Sequence, residues 1–324
     1  MSVNWGILST AHINRLFLAG AREADNTTIL AVASRDQRRA DAYASDNGIE
    51  RAYGSYEALL TDPDVEAVYI SLPNSLHIPW TIAALEAGKH VLCEKPLSRR
   101  AADVNRAFDV AEKQQLLLME AFMYRHNPQT SLLSALVAEQ AVGRVRVIRA
   151  AFGFVAHDPE NVRLSAALDG GALMDVGCYC VSGARLIAGE PEHVAGERAM
   201  GGDGVDVAFV GLMRFDNDIT AHFDAGLALV SHDLLEVVGD KGTIRLTDPW
   251  HCRRPGIDII RDQGVERIDI EPANSYRLEA ENMSAAIRGE AEPLLGRGDA
   301  VNQAKAIEAL YRAADEGRVV SLCS

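Results

Sequence analysis

Short apolar runs alternate with helical patterns over roughly the first 120 residues, and this alternation restricts the fold more than any other feature. The runs are Val3–Leu8, Ile29–Ala33, Ala67–Leu72, His90–Cys93 and Leu116–Met119. Helical segments Arg38–Asn47, Pro79–Ala87 and Ala101–Lys113 lie between them. Strands that alternate with helices build βαβ units, and βαβ units build a parallel sheet. The run Ala67-Val68-Tyr69-Ile70-Ser71-Leu72 suits a strand buried on both faces. The expectation is an α/β Rossmann domain over residues 1–122.

After about Gly143 the texture changes. Val145–Phe154, Asp206–Phe215, Ile219–Ala225, Leu229–Val238, Thr243–Leu246 and Ile257–Ile260 are strand-like. Turn signals separate them: Asp216-Asn217, Gly239-Asp240-Lys241-Gly242 and Asp262-Gln263-Gly264. Helical segments bracket the strands at Gly171–Ala188, Tyr276–Arg288 and Ala300–Gly317. Residues 123–324 therefore read as an α+β domain with a large, mostly antiparallel, open-faced sheet. A chain of 324 residues is long enough for two such cores.

Composition removes whole classes of function. The formal net charge is −14, which does not favour a broad nucleic-acid surface, because phosphate neutralisation needs clustered Lys and Arg. No apolar run approaches the roughly 18 residues of a membrane span. Val3–Leu8 already reads as a strand, with no basic stretch or cleavage site before it, so a cytoplasmic setting is expected. The cysteines are Cys93, Cys178, Cys180, Cys252 and Cys323, without a C-x-x-C pair, and reduced thiols are expected. H-x-x-x-H, H-E-x-x-H and G-x-S-x-G are all missing, so neither a metal centre nor a Ser-His-Asp hydrolase is expected.

The first strand-to-helix turn lacks the G-x-G-x-x-G fingerprint. Ser9, Ala11 and Asn14 stand at the three glycine positions of Ser9-Thr10-Ala11-His12-Ile13-Asn14. Small residues here still let a backbone approach a pyrophosphate at the helix N-terminus, and Ser9 and Thr10 add hydroxyls. A plain strand-to-helix turn fits the same residues. The second strand ends at Ser34-Arg35-Asp36, with Arg38 and Arg39 following. An NAD site expects an acid at that strand end. A hydroxyl followed by guanidinium groups suits the 2′-phosphate of NADP(H) instead. A solvated arginine cluster is the alternative, and an Asp36 pointing at the ribose would admit NAD(H) as well.

More specific text follows the next two strands. It runs Leu72-Pro73-Asn74-Ser75-Leu76-His77, then Ala87-Gly88-Lys89-His90-Val91-Leu92-Cys93-Glu94-Lys95-Pro96. Gly170-Gly171-Ala172-Leu173-Met174-Asp175-Val176-Gly177-Cys178-Tyr179, Gly239-Asp240-Lys241-Gly242 and Asn302 come later. Together these resemble the glucose-fructose oxidoreductase / inositol dehydrogenase / MocA family over nearly the whole chain. Tyr179 stands where many of its members have His. That choice resembles the branch of trans-dihydrodiol dehydrogenase, certain D-xylose dehydrogenases and sugar 3-ketoreductases, which usually binds NADP(H).

The resemblance implies that Lys95 and Tyr179 lie beside the nicotinamide. Hydride transfer at an alcohol carbon needs a group to take the hydroxyl proton. A free Tyr has a pKa near ~10, too high for an efficient base at neutral pH. A nearby ammonium such as Lys95 would favour the phenolate. Pro96 biases Lys95 towards extended backbone at the carboxyl edge of the sheet. Asp175, four residues before Tyr179, shares its face if the segment is helical, and would orient Lys95 or bind a substrate hydroxyl. The alternative for Asp175 is an acid that complements a helix N-terminus. The resemblance further implies that Leu72, Pro73, Asn74, Glu94 and Arg125 contact the cofactor. His77 is a candidate contact or a helix-start surface residue; for Arg125 the alternative is an interdomain salt bridge.

The expected function is thus NADP(H)-dependent dehydrogenase or reductase chemistry at CH–OH groups of a sugar, sugar derivative or cyclic polyol or diol. A non-catalytic nucleotide-sensing protein of the same fold, and an oxidoreductase that retains its cofactor between half-reactions, are the alternatives. Lys95 and Tyr179 weigh against a sensor, which needs no proton-transfer pair. His157, Asn161 and Arg163 lie on a loop that would cover the substrate. The open sheet face should need cover, so a homodimer or homotetramer is expected.

Overall fold

The computed structural model describes residues 2–322, and Cys323 lies outside them. The first of two units takes the residues up to Ser98, then Ala102–Met123 and Asn274–Val301. Its strands are β1 (Val3–Leu8), β2 (Thr27–Ala33), β3 (Arg51–Tyr53), β4 (Ala67–Ile70), β5 (His90–Glu94) and β6 (Leu118–Ala121). They pair in parallel in the order β3-β2-β1-β4-β5-β6. This is the doubly wound dinucleotide-binding order, with its reversal between β1 and β4. Helices α1 (Asn14–Glu23), α2 (Gln37–Asn47), α3 (Tyr56–Leu60), α4 (His77–Glu86) and α5 (Ala101–Gln114) make the connections.

β3 was not anticipated: three half-buried residues beginning with Arg carry no apolar run. The helix at Ser275–Ile287 also packs within the first unit, although a cut at Phe122 assigns it to the second. A side chain at Gly20 of α1 would come within 2.5 Å of the Arg277 backbone nitrogen, so only glycine permits this approach. Trp5 Nε1 donates to Ser284 Oγ at 3.1 Å beneath it. Phe17 stacks on Tyr69 with ring centroids 3.9 Å apart.

The second unit takes Arg99–Ala101, Tyr124–Ala273 and the residues from Asn302. It contains α6 (Pro128–Ala138), β7 (Val145–Val155), α7 (Cys178–Ala188), β8 (His193–Met200), β9 (Asp206–Arg214), β10 (Thr220–Gly226), β11 (Ala228–Gly239), β12 (Thr243–Leu246), β13 (Gly256–Arg261) and β14 (Gly264–Asp269). With α8 the helix Ser275–Ile287 of the first unit, α9 (Arg297–Glu316) and β15 (Val320–Ser321) follow. The sheet order is β14-β13-β12-β11-β7-β10-β9-β8-β15. Among the described residues every pair in it is antiparallel except β7 with β10. One face is covered where α7 packs on β7 and β10. Along β9, Phe209 and Met213 are buried, whereas Val210 is 55% and Leu212 49% exposed, so the opposite face is open.

Candidate active site

In the first unit the expected cofactor residues gather at the carboxyl edge of the parallel sheet, around the switch point between β1 and β4. Ser9 leaves β1 with φ 140°, a conformation usually left to glycine. Hydrogen bonds hold it there. Its Oγ lies 2.7 Å from Ser71 Oγ and accepts from the Ala11 amide at 3.1 Å. Asn14 Nδ2 donates to the Ser9 carbonyl at 2.9 Å, and Ser71 Oγ donates to Asn14 Oδ1 at 2.5 Å. A polar knot across β1 and β4 thus replaces the missing glycine fingerprint. The amides of Thr10, His12 and Ile13 meet no acceptor among the described residues, and these three residues are exposed or half-buried. Unbonded amides ahead of a helix suit a pyrophosphate.

Ser34 follows β2 and is buried, its amide donating to the Tyr53 carbonyl at 3.0 Å. Asp36 is the N-cap of α2: its Oδ1 accepts from the Arg39 amide at 2.8 Å. That bond occupies the one acid that would favour an NAD ribose. Arg35, Arg38 and Arg39 are exposed, and their side chains make no ion pair among the described residues. Unspent guanidinium groups at this strand end fit a 2′-phosphate.

Leu72 and Pro73 follow β4, and Asn74–Leu76 forms a short 3₁₀ turn. His77 is buried, with Nε2 2.8 Å from the Leu72 carbonyl and Nδ1 2.8 Å from the Pro96 carbonyl. Its ring braces two loops and turns neither nitrogen to solvent, unlike a surface residue. Burial holds its pKa below the usual imidazole value, and the Lys95 charge adds to this. Glu94 ends β5 and accepts from the Tyr69 hydroxyl at 2.5 Å. Lys95 comes next, half-buried, and the Lys95–Pro96 bond is cis. The Leu97 amide donates to Glu120 Oε1 at 2.7 Å and secures the loop beyond.

Asp175, Tyr179 and Arg125 belong to the second unit. Asp175 and Tyr179 ride one helical run, but its first part, Leu173–Gly177, is wound as a π-helix that carries an extra residue per turn. Tyr179 is 7% exposed among aromatic rings: Phe152 at 5.3 Å, Tyr124 at 5.7 Å and Trp250 at 6.0 Å. Asp175 Oδ2 accepts from Arg163 Nε at 2.7 Å. Asn161 caps the short 3₁₀ turn that carries Arg163, accepting from its amide at 3.1 Å. The pairing of Arg163 with Asp175 was not legible, since it closes across a loop with no periodic pattern. Arg125 sits on the 3₁₀ turn Met123–His126 and is half-buried. Burial, with the Arg125 charge adding to it, holds the neighbouring His126 down at about 3.

Among the described residues one triad of possible metal ligands occurs, Asp233, Asp248 and His251. Asp248 Oδ2 is already taken by the amides of Arg253 and Arg254.

Comparison with known proteins finds relatives along both parts of the chain. Residues 3–122 match the model of an oxidoreductase family with an NAD-binding Rossmann fold, and residues 131–245 match the GFO/IDH/MocA C-terminal domain. The chain is 37% identical to D-xylose 1-dehydrogenase (NADP(+)) 2 of Haloferax volcanii, over 98% of this chain and 99% of that one. It is 35% identical to human trans-1,2-dihydrobenzene-1,2-diol dehydrogenase, over 78% and 76% of the two chains. The structure of a 3-ketoreductase from Actinomadura kijaniata with NADP and TDP-benzene superposes with a TM-score of 0.92 at 29% identity, covering 97% of this chain and 98% of the other.

Proposed function

The chain belongs to the GFO/IDH/MocA oxidoreductase family, and from that premise we propose that it is an NADP(H)-dependent dehydrogenase or reductase of a sugar, sugar derivative or cyclic polyol or diol. The observation that carries this is the grouping at one sheet edge of unbonded amides at Thr10, His12 and Ile13, unspent guanidinium groups at Arg35 and Arg39, and Lys95. The NADP(+)-dependent xylose dehydrogenase and the NADP-bound ketoreductase support the choice of cofactor.

NADP(H), when bound, supplies or takes up the hydride. The amides of Thr10, His12 and Ile13 hold its pyrophosphate. Ser34, Arg35 and Arg39 bind its 2′-phosphate. Leu72, Pro73, Asn74, Glu94 and Arg125 contact its nicotinamide half. Tyr179 takes the hydroxyl proton when an alcohol is oxidised and returns one when a carbonyl is reduced. Lys95 favours the phenolate and donates to the substrate oxygen. Asp175, held by Arg163, meets a second substrate hydroxyl. A protein that only sensed nucleotide would need neither Lys95 nor Tyr179.

We place the protein in the cytoplasm: the four described cysteines are buried free thiols, which suits a reducing compartment. Among the described residues no helix is long and apolar enough to cross a membrane. The open sheet face, with Val210 and Leu212 exposed, supports a homodimer or homotetramer built on it. The direct test is a panel of aldoses, keto-sugars, inositols and dihydrodiols, followed by absorbance of reduced nicotinamide. Turnover with NADP(H) on at least one class is expected. Tight nucleotide binding with no turnover on any of them would favour a sensor.

A further inference from the structure

A buried carboxylate from a distant strand stands at the start of the helical run that carries Asp175 and Tyr179. Asp206, the first residue of β9, is 2% exposed. Its Oδ2 accepts from the Leu173 amide at 2.7 Å, where the π-helical turn begins. Its Oδ1 accepts from the Tyr311 hydroxyl of α9 at 2.9 Å. Ala172 stands at the cap position and has no side-chain acceptor to offer. Asp206 fills that role from 33 residues away.

The surroundings are built around this carboxylate. Gly171 has φ 125°, and a side chain there would lie 2.3 Å from Asp206 Oδ1 and 3.1 Å from the Tyr311 hydroxyl. The Gly171 carbonyl accepts from the Asp175 amide at 2.9 Å, so the glycine pressed against Asp206 also bonds Asp175. Tyr311 is itself held. Arg99 lies over its ring with Cζ 4.7 Å from the centroid and pairs with Asp169 at 2.6 Å. Arg198 approaches the same ring at 5.8 Å and pairs with Asp315. Phe209 packs edge-on against it at 5.9 Å.

We propose that Asp206 and Tyr311 are positioning residues for the proposed chemistry: the carboxylate, oriented by the Tyr311 hydroxyl, fixes where the helical run begins and hence where Asp175 and Tyr179 stand. The proposal rests on Tyr179 being the acid/base. The charged form of Asp206 is the one that accepts both hydrogen bonds. Burial raises its pKa above the usual carboxylate range, while the Leu173 amide and Tyr311 hydroxyl oppose the rise. The other charged groups around the pair are Arg99, Asp169, Arg198 and Asp315. Loss of the Tyr311 hydroxyl therefore lets Asp206 protonate at higher pH, and the helix start then faces a neutral acid, a weaker acceptor than the carboxylate.

The test compares Asp206→Ala, Asp206→Asn, Tyr311→Phe and Tyr179→Phe in the full-length enzyme. It reads steady-state kinetics against pH, and near-UV circular dichroism of the aromatic cluster that includes Trp250 and Tyr179. Asp206→Ala should lower kcat by about tenfold or more, because small misplacements of reacting groups are costly. The KM for the cofactor should stay within about twofold, since that half of the site is untouched. Asp206→Asn keeps an acceptor for Leu173 and should recover kcat to within about threefold of wild type, with its acid limb flattened. Tyr311→Phe should move the acid limb of kcat upward by about half a pH unit or more. Wild-type kinetics in Asp206→Ala would overturn the proposal. So would a Tyr311→Phe enzyme slowed equally at every pH, which is the mark of lost packing alone. If Asp206→Ala does not fold, Tyr311→Phe decides, because it removes one hydroxyl only. Full turnover in Tyr179→Phe would remove the acid/base assignment, yet a changed near-UV spectrum in Asp206→Ala would still support control of the helix start.

Discussion

Arg163 Nε lies 2.7 Å from Asp175 Oδ2, and this ion pair ties the loop after β7 to the helical run that carries Tyr179. The Asp175 side chain is 12% exposed and that of Arg163 41%. The Arg163 end of the pair is open to solvent, so the pair itself adds little to global stability. Its effect should appear in substrate handling. Arg163→Ala is expected to lower kcat/KM for the substrate by about three- to tenfold without changing the KM for NADP+. Asp175→Asn should cost more, and the double variant should cost less than the product of the two. A double-mutant cycle on kcat/KM checks this; multiplicative losses would show that the two residues act separately.

Tyr179→Phe keeps the ring among Phe152, Tyr124 and Trp250 and removes only the hydroxyl. Turnover should fall by about two orders of magnitude or more, the scale of general acid–base catalysis. Binding of NADPH, followed by fluorescence of the reduced nicotinamide, should persist. Turnover near wild type would remove Tyr179 from the proton transfer.

Cofactor choice should follow from what Asp36 is doing. Its carboxylate caps α2 through the Arg39 amide, while the Arg35 side chain has no ion pair among the described residues. The enzyme is expected to favour NADP+ over NAD+ in kcat/KM. Arg35→Ala should narrow that preference by about tenfold or more, since a charge-assisted contact to the 2′-phosphate is lost. Asp36→Ala should lower thermal stability through the lost cap and leave the preference intact. A wild-type enzyme that prefers NAD+ would mean that Asp36 reaches the ribose after all.

Much of the first unit was legible because its strands are continuous apolar runs, and β12 was expected and found at Thr243–Leu246. What escaped is tertiary. Arg51–Tyr53 becomes a strand only because β2 offers it a partner. The periodicity of Ser275–Ile287 shows a helix but not which sheet it covers, and the contact through Gly20 decides that. At the site, Ser9 and Asn14 were visible at glycine positions. Their partner Ser71 enters only when β4 lies beside β1. The partners of the Asp175–Tyr179 run, Arg163 and Asp206, come from a loop and from a strand, and no local spacing links either to it. Local patterns therefore supplied the candidate residues, whereas the supports of those residues depend on chain segments that pair only after folding.

Glu279, on the helix that packs against α1, is fully buried, and neither of its carboxyl oxygens meets a hydrogen-bond partner among the described residues. An isolated carboxylate there would be strongly penalised, so the group folds in its neutral form. Burial first, and then the Glu94 carboxylate, raise its pKa well above the usual value of 4.5. Below the unfolded-state pKa the group is neutral in both states and adds no pH-dependent contribution. As pH rises past it, the unfolded chain ionises while the folded one keeps its proton, so stability falls by roughly 1.4 kcal/mol per pH unit from this group until the folded pKa is passed. Glu279→Gln keeps the shape and cannot ionise. Its melting temperature relative to wild type should therefore climb between about pH 5 and pH 8. Calorimetry of both proteins at the two pH values measures the difference. A constant difference would mean that Glu279 ionises in the folded protein as readily as in the unfolded one, with a counter-charge near it. Glu279→Leu separates the remaining contribution: it removes the polar atoms as well, and a gain over Gln at both pH values would measure what burying an unpartnered polar group costs here.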